Sequence, residues 1–277
     1  MRVLRAIAPL WLRTAARSRT VRGPSMPAVG RGYGTILILG HMRAGTSLLA
    51  HLLCGHPQIA GWGERNRPYA TTGDLARLAA DVARRARAPR IVLPPPLGPR
   101  WLLDVVNHDA FMPPSALLAR HDIRLIFVLR EPRGCLASMV AALGRDYGWT
   151  PRRCATYYAG RLDSLQAYAE GLDRATRRRC LTVEHEALID DPVRVLAAVA
   201  GHLGLGEPPA ASYPRQPWTG SFGDRSRAIH AGRVLSAEER HRLHCRPQGP
   251  LELDPLILAH CAEAYGRCRS SMVSLGA

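Results

Sequence analysis

Two stretches of the chain carry residues suited to anion chemistry. The first reads Gly40-His41-Met42-Arg43-Ala44-Gly45-Thr46-Ser47. Gly40 and Gly45 hold the spacing of a phosphate-binding loop, Gly-x-x-x-x-Gly-Lys-Ser/Thr. Glycines so placed let backbone N–H groups wrap an anion, and the helix that follows adds its partial positive charge. Thr46 stands where that loop needs lysine, so its fixed cation is Arg43. The second stretch runs from Arg130 through Glu131, Pro132 and Arg133 to Ser138. Arg130 closes an apolar run where nucleoside triphosphatases place a magnesium-holding Asp. Pro132 suits a first helical turn. Ser138 falls two turns along, where its hydroxyl can join a phosphate held by Arg130. A loop without lysine, paired with a cation in place of an acid, is poorly built for Mg-ATP and suits an anion carried without a metal. The plainer readings are a glycine turn that joins strand to helix, and an arginine paired with a local acid.

These groups need strands and helices to aim them, and both signals alternate along the chain. Residues 35–39, 101–106, 123–129 and 180–183 are short apolar runs of the kind that form strands covered on both faces. Helical spacing is read over 47–54, 72–88, about 113–120, 132–143, 151–175, 192–203, 236–245 and 252–270. Residues 91–99 hold four prolines and read as a loop, while 206–235 are Gly/Pro-rich and aperiodic. This alternation predicts an α/β fold: a parallel sheet sandwiched between helix layers, of the P-loop nucleotide-hydrolase-like kind. Ligands of such sheets sit at the carboxyl ends of the strands. The chemistry is therefore expected just after Leu39, Val106 and Leu129.

Composition narrows the classes. The chain has 277 residues, 47% of them hydrophobic and 22% charged, as in a globular protein with a sizeable core. No apolar run reaches the roughly 18 residues of a membrane span. Net charge is +16, and all 38 basic residues are Arg. Residues 1–34 carry seven of these and no acid. Residues 1–33 are read as a basic, flexible extension of a single domain at 34–277. A transit peptide, a tail, or an interfacial segment touching a membrane surface through residues 1–22 all remain open. Seven widely spaced cysteines without a secretory signal suggest reduced thiols in the cytoplasm. None of them has the tight Cys-x-x-Cys spacing of a zinc site, so no metal is expected. With 6% aromatics and no nucleic-acid motif, the charge does not point to specific nucleic-acid recognition.

Taken together, the motifs resemble those of sulfotransferases that use 3′-phosphoadenosine 5′-phosphosulfate (PAPS), including the protein-tyrosine and bacterial branches. The family's Arg-x-Gly-Thr-x-Leu-Leu loop is matched by residues 43–49, and its Arg-x-Pro-Arg segment with a later Ser by Arg130 and Ser138. Its Glu-x-Leu…Asp-Pro segment is matched by Glu186, Leu188, Asp191 and Pro192. The resemblance covers about 34–235, in family order. It implies PAPS as co-substrate, no metal, and sulfuryl transfer to a hydroxyl, or less readily an amine, of a small-molecule, glycan or peptide acceptor. Arg43, Ala44, Gly45, Thr46 and Ser47 would hold the 5′-phosphosulfate, with Arg43 also catalytic. Arg130 and Ser138 would hold the 3′-phosphate, joined by His230 and Arg233 of the late loop. Glu64, in a Gly-Glu pair, would be the catalytic base. Burial would raise its pKa, while Arg43 or Arg65 would lower it; its plainer role is a surface partner of Arg65 or Arg67. The chain departs from the family in three places. It has no lysine after the middle strand, where Asn107 or His108 stands in; His185 replaces the usual tyrosine; and residues 229–233 replace Arg-Lys-Gly. The alternatives are a nucleotide kinase-like P-loop protein and a catalytically weak nucleotide- or nucleic-acid-binding protein.

Overall fold

Strand β1 (Gly34–Gly40) is apolar along its length and buried on both faces, and the other elements are arranged around it. The computed structural model describes residues 32–85, 99–221, 223–243, 253–273 and 275. With β2 (Ile59–Gly61), β3 (Trp101–Val106), β4 (Ile123–Leu129) and β5 (Cys180–Glu184), β1 forms a five-stranded sheet of order β2-β3-β1-β4-β5. Every strand pair is parallel. The register sets Leu39 opposite Val106 and Phe127, so the three strands flanking the proposed chemistry end together.

The period-two alternation of the strands divides the core in two. Leu37, Leu39, Leu125, Phe127 and Leu129 face one cluster, shared with α2 (Thr72–Arg85), α4 (Pro132–Met139), α6 (Pro151–Glu170) and α11 (Pro255–Val273). Ile36, Ile38, Leu103, Val105, Ile126 and Val128 face the other, under α1 (Thr46–Cys54), α9 (Pro192–Leu203) and the segment around Tyr213, Trp218 and Ile229. This is the three-layer α/β arrangement expected from the sequence. Helix starts follow their chemistry: the Thr150 hydroxyl accepts from Arg153 N, the Asp191 carboxylate from Arg194 N, and Pro151 and Pro192 occupy first turns.

Several boundaries differ from the periodicity. The helix expected at 132–143 is α4, after which Val140–Gly144 widens into a π turn and α5 (Arg145–Tyr147) closes it. The segment near 113–120 is a 3-10 turn at Asp109–Phe111 and a short α3 (Ser115–Leu118). The helix expected at 151–175 stops at Glu170, and Asp173 caps a separate turn, α7 (Arg174–Arg177). Strand β2 and α8 (His185–Asp190) are added to the elements expected from the sequence. The helix read at 236–245 is α10 (Ala237–Leu243). Residues 1–31, 86–98 and 244–252 lie outside the described residues, and with them the tail of the helix read at 72–88, most of the loop at 91–99 and the first 31 residues of the N-terminal extension. Among the described residues no helix is long and apolar enough to cross a membrane.

Candidate active site at the strand ends

The first loop leaves β1 and enters α1 through Gly45, which has φ 97, a left-handed conformation open chiefly to glycine. A methyl group added at Gly45 would come within 2.4 Å of His185 Nδ1, so the position is fixed by space as well. Arg43 takes φ 65 without being glycine, the kind of backbone strain that persists where surrounding bonds over-determine it. Those bonds are on both sides of it. Ala44 N–H donates to the His41 carbonyl, Met42 N–H to the Tyr157 hydroxyl, and Arg130 Nη1 to the Arg43 carbonyl. The Ala44 N–H is thus spent inside the turn. The first N–H groups of α1, at Thr46 and Ser47, have no intrahelical acceptor and remain suited to an anion.

The second motif lies directly against the first. Arg43 Nε donates to Ser138 Oγ at 3.0 Å, so Ser138 links to Arg43 as well as standing on the Arg130 helix. Arg130 is held by its backbone: its N–H donates to His41 Nε2, and its carbonyl accepts from Tyr158. His41 is fully buried, and burial, together with Arg161 and Arg130, holds its pKa near 3. It is a neutral strut between the two loops. Glu131 caps α4 through the N–H groups of Arg133 and Gly134. Arg130 Nε is buried and has no acceptor.

Glu64 follows β2 on the opposite flank. It is largely buried, with 13% of its side chain exposed, and pairs with neither Arg65 nor Arg67; its Oε1 is 3.7 Å from His108 Nε2. Burial pushes its pKa up to about 7; the Asn107 amide and Arg161 oppose this, and Asp104 adds to it. The opposing charge is therefore Arg161, in place of the Arg43 or Arg65 expected from sequence. Arg65 turns its guanidinium to Asp81 and Asp104, while its backbone N–H donates to Asp104 Oδ1 at 3.1 Å. This buried network, closed by the Tyr69 hydroxyl on Asp104, pins the Glu64 segment to β3. Asn107 Nδ2 donates to Thr46 Oγ1 at 3.3 Å, connecting the acid flank to the first loop. His108 is partly buried, and burial and Arg161 lower its pKa to about 4, so the imidazole is neutral at pH 7.

Three participants carried no local signal. Asp224 pairs with Arg43 Nη1 at 2.8 Å, and its N–H donates to Ser47 Oγ at 3.0 Å, so the segment around Gly223 lies on the first loop. Arg161, from α6, is fully buried; it donates to the Gly40 and Val106 carbonyls and to Asp109. Arg240, from α10, donates to His185 beside Gly45. The late-loop candidates are placed differently. Arg233 faces solvent with both terminal nitrogens on Glu239, and His230 is exposed, its ring against Gly220. Among the described residues, no group of three or more His, Cys, Asp or Glu is arranged for a metal, and the six described cysteines are unbridged.

Comparison with known proteins finds similarity to sulfotransferases. A family model described as sulfotransferase family matches residues 92–209, beginning after the first loop. The sulfotransferase domain of an olefin synthase from Synechococcus PCC 7002 has a similar fold, with TM-score 0.51 and 15% identity over 85% of this chain and 95% of that one. The sulfotransferase domain of the curacin biosynthetic pathway is similar too, with TM-score 0.50 and 16% identity over 83% and 96% of the two chains. No curated protein matches the chain.

Proposed function

We propose that this chain, whose residues 92–209 match the sulfotransferase family and whose fold is that of sulfotransferase domains, transfers a sulfuryl group from PAPS to an acceptor hydroxyl. The observation that carries the reading is the junction of the two cationic motifs. Arg43 reaches Ser138 and Arg130 reaches the Arg43 carbonyl, so a nucleotide with two separated anionic groups meets both at once.

The chemistry follows from what each group can do. The acceptor oxygen attacks sulfur, the bond from sulfur to the 5′-phosphate oxygen breaks, and the acceptor proton leaves. Thr46 and Ser47 N–H groups with the Arg43 guanidinium stabilise charge growing on the leaving phosphate. Arg suits this task because its planar fork holds two oxygens together. Glu64, its pKa near 7, is matched to accept the proton at neutral pH. Neutral His108 and Asn107 hold that carboxylate in place and supply the polar contacts where the family places lysine. The acceptor is a small molecule, glycan or peptide bearing a hydroxyl, and the buried free thiols suit a cytoplasmic setting.

The test is to incubate the protein with sulfur-labelled PAPS and a panel of phenols, alcohols, sugars and amines. Label is expected on one acceptor class, with 3′,5′-bisphosphoadenosine (PAP) formed in equal amount, and Arg43→Ala should remove it. Label that stays on the nucleotide, together with magnesium-dependent phosphate release from ATP, would replace this reading with a kinase.

A further inference from the structure

His185 is 94% buried, as only 6% of its surface is exposed, and it sits against Gly45 of the first loop. Arg240 Nη1 lies 2.8 Å from its Nε2. A guanidinium can only donate, so Nε2 is the acceptor and the ring's one proton resides on Nδ1. That Nδ1–H has no acceptor, although it is buried. Nearby, Arg130 Nε is a second buried donor without an acceptor. Among the described residues neither Arg130 nor Arg240 forms a salt bridge; burial first, and then Arg130, depress the pKa of both Arg240 and His185. The acids facing Arg240 are Glu186 and Asp190; burial holds the Glu186 carboxyl above its usual range, and its Oε2 is itself buried without a partner. A native fold rarely leaves two buried donors together, one of them on a guanidinium without a salt bridge, unless a ligand completes them.

We infer that His185 and Arg240 form, with Arg130, a receptor for the 3′-phosphate of the sulfuryl donor, supplied by α8 and α10 in place of the late loop at 229–233. The inference rests on the PAPS reading above. The 5′ group has Arg43 and the N–H groups of α1, whereas Arg130 Nε and His185 Nδ1, brought against the first loop by the end of β4 and by α8, are further donors left for the second phosphate. Arg233 is committed to Glu239, so α10 contributes its cation through Arg240 instead.

The experiment is titration of PAP and AMP, which differ by the 3′-phosphate, into the full chain, into Arg240→Gln and into His185→Phe. Glutamine keeps an N–H for His185 Nε2 but removes the charge. Loss of a charge-assisted contact should weaken PAP binding roughly 10- to 100-fold in Arg240→Gln and leave AMP within about twofold. His185→Phe removes the orphaned donor and also the Nε2 acceptor of Arg240, so it should weaken PAP more than AMP whatever its effect on the melting temperature of the nucleotide-free protein. A melting temperature that drops in both variants while the PAP-to-AMP ratio stays at the wild-type value would make the pair structural and overturn the inference. Equal loss of PAP and AMP would overturn it as well, assigning the arm to the 5′ group. If wild type itself does not distinguish the two nucleotides, the PAPS reading fails and takes the inference with it.

Discussion

Arg43 Nε donates to Ser138 Oγ across 3.0 Å, a contact between residues 95 positions apart. It joins the two cationic motifs into one surface at the carboxyl ends of β1 and β4. The same guanidinium is paired with Asp224, so the first loop carries an internal carboxylate on its main cation. From these contacts follow outcomes that can be measured.

Asp224 competes with the donor for Arg43. Burial alone would raise its pKa, but the Arg43 guanidinium together with the Ser226 N–H and hydroxyl outweighs this and holds it below the usual carboxylate range. Asp224→Asn removes the charge while leaving an acceptor for Ser226 N–H. PAP affinity is expected to rise roughly 3- to 10-fold by calorimetry. The wild-type pair stabilises the fold above the unfolded carboxylate pKa, and that contribution is lost as pH falls through the depressed folded value. The melting temperature of the variant should therefore fall less than that of wild type on acidification. Weaker PAP binding would mean that Asp224 supports the donor site.

Glu64 sets the acid limb of turnover. With its pKa near 7, kcat/KM should rise with pH through about 7 and then level. The sign for stability is opposite. The folded state keeps this proton between the unfolded value near 4.5 and about 7, so the Glu64 contribution to stability declines as pH rises across that window. Glu64→Gln should flatten both dependences. A limb that survives in the variant assigns it to another group.

Glu64→Gln is also expected to keep PAP affinity within about twofold and to lower kcat by roughly 10²- to 10⁴-fold, the usual range for a general base. The readout is PAP formation from PAPS with any acceptor that supports turnover. Lost PAP binding with intact turnover at saturation would remove Glu64 from the proton transfer.

Arg161 holds the strand ends. Arg161→Met strands the Gly40 and Val106 carbonyls in a buried setting, at about 1–3 kcal/mol for each. A drop in melting temperature of several degrees is expected, and an unchanged value would show that neither carbonyl depends on the guanidinium.

Much of this arrangement is legible locally. Gly40 and Gly45, the apolar runs of β1, β3 and β4, and the Arg130-to-Ser138 spacing all lie within single segments, so pattern alone places them. What escapes has one of two causes. Strand β2 has three residues and α8 six, too few to show a period. Asp224, Arg161 and Arg240 meet their partners across 181, 121 and 55 positions, and nothing in their neighbours marks them. Arg161 looks like any helix-surface arginine until the packing of α6 turns it inward. The late loop is a different case: Arg233 is nearer the family motif in sequence, and its pairing with Glu239, six positions on, holds it at the surface.

The claim at the centre is that Arg43 and Arg130 grip two different phosphates of one nucleotide. Calorimetry of PAP against AMP without magnesium tests it directly. Wild type is expected to favour PAP by roughly 100-fold, Arg130→Ala to erase most of that preference while retaining AMP binding, and Arg43→Ala to weaken both nucleotides. Equal affinity of wild type for PAP and AMP would contradict the account.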